Sequence, residues 1–284
     1  MILQALKEYY DRKASDPESG IAPEGWQHKE IPFVIVLDRE GNFLQFEDTR
    51  EGEGKKKRAK AFLVPQAVKK TSGIAANLLW DAAGYVLGVD TIGKPERARE
   101  QKKAFTERVE RELSSVEEIK PIIRFLQTLS LERLWAEPHW KEIAEMNPNL
   151  TFRYAGQSNI ICGSSAVKDA IASRISKADR VSTCLVTGER SSIASLHPSI
   201  KGVYGAQTSG ANIVSFNLDA FCSFNKDQGY NAPVGEKAAF AYTTAINALL
   251  GRESPQRMTI GDASAVFWSE KKTVFESDFS SFFS

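Results

Sequence analysis

Five apolar residues in a row, Phe33-Val34-Ile35-Val36-Leu37, constrain this chain more than any other feature. An unbroken run of that length predicts a strand buried in a core. Asp38-Arg39-Glu40-Gly41 then reads as a turn that returns the chain through Asn42–Phe46. Phe62–Val64 is a further strand, and Pro65 stops its pairing because proline has no N–H to give. Leu78–Asp81 and Tyr85–Gly88 flank a short turn at Gly84. Ahead of these, Ile2, Leu3, Leu6, Tyr9 and Tyr10 fall on one face of a helix. Ser15 to Gly25 holds Pro17, Gly20, Pro23 and Gly25 and is a loop.

Residues 94–150 change character. Lys94 to Glu112 is dense in Lys, Arg and Glu, with a thin apolar stripe of Ala98, Phe105, Val109 and Leu113. This is a solvated helix, supported by pairs such as Glu107–Arg111. Ser115 with Glu118 has the capping-box pattern, and Ile119, Ile122, Ile123, Leu126 and Leu129 follow at helical spacing. Pro121 lies early enough to kink that helix. Trp135, Trp140 and Ile143 extend a helical unit that Asn147-Pro148 breaks.

From Thr151 the strand signals return. Cys184–Thr187 and Ile213–Phe216 are short strand candidates. Ala239, Tyr242, Ile246, Leu249 and Leu250 share a helical face that Gly251 closes. Phe275, Phe279, Phe282 and Phe283 form a last amphipathic face. Either it folds back on its own domain or the native chain continues beyond it. The expected class is α+β: a mostly antiparallel sheet with flanking helices and a small helical insertion. The expected segments are 1–93, 94–150 and 151–284, the last a second α+β part packing on the first.

Composition narrows the function classes. With 37 basic and 36 acidic residues the net charge is +1, so nucleic-acid contact must come from local patches. Cys162, Cys184 and Cys222 are scattered, which argues against a disulfide framework or a cysteine-rich zinc site. No stretch approaches the apolar length of a membrane span, and the opening residues lack a secretory cleavage site. The expectation is a cytoplasmic protein without cofactor, metal or membrane contact.

Gly205 to Gly210 has the spacing of a phosphate-binding loop, but Ala211 and Asn212 stand where Lys and Ser or Thr are needed. Nucleotide hydrolysis there is rejected, and a turn needing glycine dihedrals is the plainer reading. The loop is still rich in amides and hydroxyls (Gln207, Thr208, Ser209, Asn212) that suit base edges in a groove. Lys55, Lys56, Lys57, Arg58 and Lys60 form a cationic run, either a solvated loop or a phosphate clamp. Lys69-Lys70-Thr71-Ser72-Gly73 would extend the clamp. Asp81 and Asp90 read as turn residues. His28, His139 and His197 show no hydrolase motif, and Asp219, Asp227, Asp262 and Asp278 lack the close spacing of a metal nuclease.

Several blocks, in order, resemble the N-terminal part of the large subunit of the type I-C CRISPR surveillance complex (Cascade). They are MILQALKEYYDRK with GIAPEGW, then VPQAVKKTSGIAANLLWDAAGYVLG from Val64 to Gly88. CLVTGE (Cys184–Glu189) and LHPSIKGVYGAQTSGANIVSFN (Leu196–Asn217) follow. QGYNAPVGEKAAFAYTTAINALLG (Gln228–Gly251), IGD (Ile260–Asp262) and VFW (Val266–Trp268) complete the set. The resemblance implies a non-catalytic subunit near the guide-RNA handle. It implies recognition of a protospacer-adjacent motif on double-stranded target DNA, and help in opening that duplex. The implied partners are the backbone, handle-processing and small subunits, and a helicase-nuclease that cleaves. It also implies a C-terminal helical bundle beyond Ser284. Chemistry selects Lys55, Lys56, Lys57, Arg58, Lys70, Thr71, Ser72 and Asn77 for phosphates. It selects Gln207, Ser209, Asn212, Asn217, Gln228 and Asn231 for groove contacts, although Asn217 and Asn231 are equally suited to turns or caps. The competing functions are a nuclease or hydrolase with a dispersed site, and a scaffold that touches only protein.

Overall fold

The computed structural model describes residues 1–54, 57–70, 73–173 and 180–282. The architecture is α+β, with small, mostly antiparallel sheets. Helix α1 (Ile2–Ala14) opens the chain and belongs to a compact unit completed by residues 176–284. Residues 25–175 form the other unit. The chain thus divides elsewhere than at residues 93 and 150.

The unit of residues 25–175 is built on the predicted buried strand. β1 (Trp26–Glu30) precedes β2 (Phe33–Leu37), all five residues of which are buried. The predicted turn leads into β3 (Phe43–Asp48), antiparallel to β2. Asp38 organises that turn, its carboxylate accepting from the Glu40 and Asn42 backbone N–H groups at 3.0 and 2.8 Å. A charged hairpin, β4 (Arg50–Glu51) with β5 (Arg58–Ala59), follows. Next comes β6 (Ala61–Pro65), antiparallel to β1 and ending at Pro65 as the sequence predicts.

β7 (Trp80–Ala82) leads into a buried helical turn, α2 (Ala83–Val86), where a strand is expected over Tyr85–Gly88. The apolar run misleads because this segment is short and buried all round, a case in which strand and helix look alike. α3 (Pro95–Leu113) buries Ala98, Phe105, Val109 and Leu113, the whole predicted stripe. Its ion pairs differ from the expected Glu107–Arg111. Glu107 meets Lys103 at 3.8 Å, and Arg111 meets Glu112 at 3.3 Å.

α4 (Lys120–Thr128) starts one turn later than the capping pattern suggests. Glu118 instead accepts from the Ser164 hydroxyl, so the box with Ser115 does not form. Pro121 sits in the first turn of α4, where its missing N–H costs nothing, and starts the helix without kinking it. α5 (Trp140–Met146) ends on Asn147 in a left-handed conformation. The chain then enters β8 (Asn149–Tyr154), and α6 (Ser165–Ala172) closes the unit.

The main sheet has the order β3-β2-β8-β7. β8 lies parallel to β2, pairing Phe33 with Leu150 through to Leu37 with Tyr154. The helical insertion packs on this sheet: Phe105, Val109, Ile122, Phe125 and Ile143 share one core with Ile35 and Phe152. Phe152 is fully buried, its ring 6.1 Å from that of Phe125 and 6.4 Å from that of Phe105.

In the other unit, α1 packs against α7 (Glu236–Leu249). Leu6, Tyr9 and Tyr10 join Phe240, Tyr242 and Leu249 in its core. β9 (Val181–Thr183) pairs with β10 (Arg190–Ser192), so Cys184–Thr187 is the turn between strands and not a strand. The Cys184 sulfur draws the chain round by accepting from the N–H groups of Val186 and Gly235 at 3.4 and 3.1 Å. Ile213–Phe216 also forms no strand, and Ile213 is about half exposed. β11 (Arg257–Ile260) pairs with β12 (Ala263–Val266), and α8 (Val274–Phe282) ends the described chain. Of the predicted phenylalanine face, Phe279 stacks edge-on against Phe267 at 4.7 Å. The side chains of Phe275 and Phe282, and all of Phe283, lie outside the described residues.

Phe152→Ala should cost about 3–5 kcal/mol, because a buried aromatic leaves a cavity that three packed elements cannot fill. Urea unfolding checks this, and an unshifted midpoint is the contrary result.

Candidate nucleic-acid interface

Three segments carry the predicted contacts. The first is the hairpin of β4 and β5. Its root is pinned by Arg50, whose guanidinium donates to Asp48 at 2.7 Å and to both carboxylate oxygens of Glu142, one at 2.8 Å. The same guanidinium lies 4.6 Å from the centroid of the Phe33 ring. Hydrogen bonding to Arg50 outweighs desolvation and holds the Glu142 and Asp48 carboxyls below the usual range. Beyond this root, Glu51, Glu53, Lys57, Arg58 and Lys60 are all exposed. Lys57 and Arg58 are thus solvent-facing, with two carboxylates, Glu51 and Glu53, on the same hairpin. Lys55 and Lys56 lie outside the described residues.

The second segment is the loop from Gln66 to Leu79. Here the structure corrects the expected phosphate contacts. Asp81 is not a turn residue but a buried carboxylate in β7. It accepts from the Lys70 ammonium at 2.6 and 2.8 Å, from Asn77 N–H at 2.8 Å and from Ala82 N–H at 2.8 Å. Lys70 also lies 3.6 Å from the Tyr85 ring centroid. Its ammonium is paired with Asp81, although Lys70 itself stays solvent-exposed. Asn77 is buried too, and its side-chain oxygen accepts from Val68 N–H at 3.0 Å, so it holds the loop and is not available to a phosphate. Thr71 and Ser72 lie outside the described residues. Asp90 does behave as a turn residue, accepting from Ile92 and Lys94 N–H groups.

The third segment is an arm between β10 and α7. Its roots are fixed to the body of its own unit. The Asn247 side chain, on α7, accepts from Lys201 N–H at 2.7 Å and donates to the Ser199 carbonyl at 3.1 Å. His197 is buried, with Nδ1 2.6 Å from the Tyr242 hydroxyl. Gly229 donates to the Ser195 carbonyl at 2.8 Å, and a Cβ there would fall 2.2 Å from the Ala194 carbonyl oxygen, so only glycine fits. Between these roots, residues 201–209 and 217–227 are exposed. Irregular loops of this length in compact proteins are uncommon and usually functional.

Gln207 and Ser209 sit on an exposed turn. Gly205 and Gly210 both take left-handed backbone angles, +71° and +102°, as the turn reading predicts. Lys201 reaches across to the carbonyls of Thr208 and Ser209 at 3.2 and 2.5 Å and stiffens the turn from below. Asn212 and Asn217 are exposed. Asn231 is different. Its side chain accepts from Ser223 N–H at 3.0 Å and donates to the carbonyls of Lys226 and Gln228 at 2.9 and 3.1 Å. It forms a turn, which is the plainer of its two readings and removes it from the groove contacts. Gln228 is half-buried at the base of that turn.

Arg50, Asp81 and Lys201 are the supports that the sequence pattern does not reveal. Lys201 has a local signal, a cation just ahead of a glycine-bounded loop. Arg50 and Asp81 have none, because their partners Glu142 and Lys70 are chosen by tertiary packing.

The two exposed segments differ in charge. Residues 50–60, which span the hairpin, carry six basic and two acidic residues. Residues 199–231 carry only Lys201 and Lys226 against Asp219 and Asp227, and are neutral. Among the described residues no helix is long and apolar enough to cross a membrane.

A family model described as CRISPR-associated protein (Cas_Csd1) matches residues 6–284. The chain belongs to that family. This is the type I-C large-subunit family that the ordered sequence blocks resemble, and it makes the chain a CRISPR-associated Cascade subunit. No curated protein matches the chain.

Asp81→Ala should destabilise the protein by about 2–4 kcal/mol, since it strands the Lys70 ammonium and two backbone donors. Urea unfolding measures this. The Arg50 clip gives a second test. Carboxyls whose folded pKa is depressed contribute stability that is present above the ordinary value near 4 and lost as pH falls through the folded pKa. The urea midpoint should therefore drop as the solution is acidified below about pH 4. Arg50→Met should flatten that dependence, and an identical pH profile for the variant would refute the clip.

Proposed function

We propose that this chain is a non-catalytic DNA-binding subunit of a type I-C CRISPR ribonucleoprotein. It recognises the protospacer-adjacent motif on target duplex and helps open that duplex in antiviral defence. The observation that carries the reading is the exposure, in a Cascade subunit, of two segments with complementary chemistry. One is a pinned hairpin that shows Lys57 and Arg58 to solvent. The other is a rooted, neutral arm that shows Gln207, Ser209, Asn212 and Asn217.

The division of labour follows from the chemistry. Cations neutralise phosphates whatever the sequence, and they release counterions as they do so. Amides and hydroxyls read base edges through paired donors and acceptors. A two-stranded β-ribbon also fits the width of a major groove, which suits the hairpin to lie along or within one. The guide RNA handle, the backbone, handle-processing and small subunits, and a helicase-nuclease effector are the partners that belong with this role. In this reading cleavage falls to the helicase-nuclease, and His197, buried with Nδ1 2.6 Å from the Tyr242 hydroxyl, serves the core.

The test is binding of target duplex by the assembled complex at several salt concentrations. Replacing Lys57 and Arg58 with Ala should weaken binding to all sequences alike. It should also reduce the slope of log affinity against log salt by about 1 for each phosphate that is no longer neutralised. Gln207→Ala or Asn212→Ala should instead relax motif preference, at about 1–3 kcal/mol for each paired base contact. Unchanged target binding by complexes carrying either set contradicts the proposal. Crosslinks confined to protein subunits would favour a scaffold role.

A further inference from the structure

We infer that Phe224 is a stacking side chain, set to pack against an unpaired nucleobase where target duplex opens; this rests on the DNA-binding reading above. Phe224 is 93% exposed, far more than the other aromatic rings on the arm. It sits at the tip of a two-residue turn, with Ser223 paired to Lys226 and Lys226 N–H donating to the Ser223 carbonyl at 2.9 Å.

Both central residues are left-handed, Phe224 at φ +51° and Asn225 at +55°. Such turns favour Asn and Gly, and a bulky residue in that region is an outlier that the surroundings must enforce. Asn225 suits its place. Phe224 does not, and a glycine there would form the same turn without strain. A strained residue held by its surroundings points to a use for its side chain.

The enforcing group is Asn231. Its hydrogen bonds with Ser223, Lys226 and Gln228 clamp both sides of the turn. The backbone of the tip is thus fixed before any partner arrives, so the ordering entropy that binding must overcome is small.

The chemistry around the ring favours a base as its occupant. Its chain neighbours, Ser223, Asn225 and Lys226, are polar, so the turn offers one flat face with donors beside it. Aromatic rings stack on any base, because every base has a π-face. Phenylalanine is also among the side chains that wedge between base steps and unstack them. The phenyl ring carries no charge, so its stacking gains nothing from phosphate attraction. Its contribution is therefore insensitive to salt, unlike that of the hairpin.

The experiment uses the assembled complex with the full-length subunit. Opening of target duplex is followed by permanganate reactivity of thymines and by fluorescence of 2-aminopurine placed beside the motif. Phe224→Ala should slow opening about 5- to 150-fold, the range that removal of one base–aromatic stack implies. The defect should hold from low to high salt and vanish on DNA with a pre-melted bubble. Phe224→Trp should restore opening and quench 2-aminopurine as the wild type does. Because the ring is exposed, neither change threatens the fold.

Wild-type opening by Phe224→Ala, in complexes that no longer bind on Lys57 and Arg58 substitution, overturns this inference and leaves the DNA-binding reading intact. Failure of the Phe224→Ala subunit to join the complex also overturns it, in favour of a protein contact. If the wild-type complex binds no target duplex, both readings fall together.

Discussion

The parallel pairing of β2 with β8 is the contact on which residues 25–175 depend. It joins two strands that stand far apart in the chain, and everything between them is drawn out as a loop from that seam. The loop contains the turn into β3, the charged hairpin, β7 and three helices of the insertion. Parallel neighbours need both faces covered, and the all-apolar β2 cannot tolerate water on either side. α3, α4 and α5 meet that need with a narrow stripe each and leave their outer faces charged. The insertion is therefore part of the core and not an appendage.

The candidate interface follows from how this body, and its companion unit, manage their polar groups. Two cations are engaged by carboxylates of their own unit. Arg50 is spent on Asp48 and Glu142, and Lys70 on Asp81. These pairs are shielded enough that separating them is costly, yet their yield in net stability is modest. Their use is placement. Arg50 fixes where the hairpin leaves the sheet, and Asp81 fixes the path of the loop that follows β6. The cations turned outward, Lys57 and Arg58, are then presented from a defined base. The arm solves the same problem with neutral groups and a single cation, using Asn247, Asn231 and Lys201.

Local patterns are legible in the sequence, and long-range pairings are not. The five residues of β2 form an unbroken apolar run, and the stripe of α3 recurs at helical spacing; both are buried in the fold. The partner of β2 is invisible, because nothing in Asn149–Tyr154 marks it as parallel to a strand at residue 33. Tyr85–Gly88 and Cys184–Thr187 mislead for another reason: short apolar runs do not distinguish strand from turn. At the interface, residue type is legible but availability is not. Lys57, Arg58, Gln207, Ser209 and Asn212 are exposed, whereas Asn77 and Asn231 turn to the backbone around them. A side-chain amide serves a turn and a base edge with the same atoms, and only the fold decides between them.

Gly229 has one more implication. Its contact with Ala194 and Ser195 brings the two ends of a long arm side by side. A segment whose ends already meet behaves as a cassette. Closing a longer one costs only about 0.6 kcal/mol for each doubling of length. The strands and helices beneath then carry no penalty when the arm's contents change. A change in the length of the exposed segments is then absorbed within the arm, while the glycine that closes it stays put.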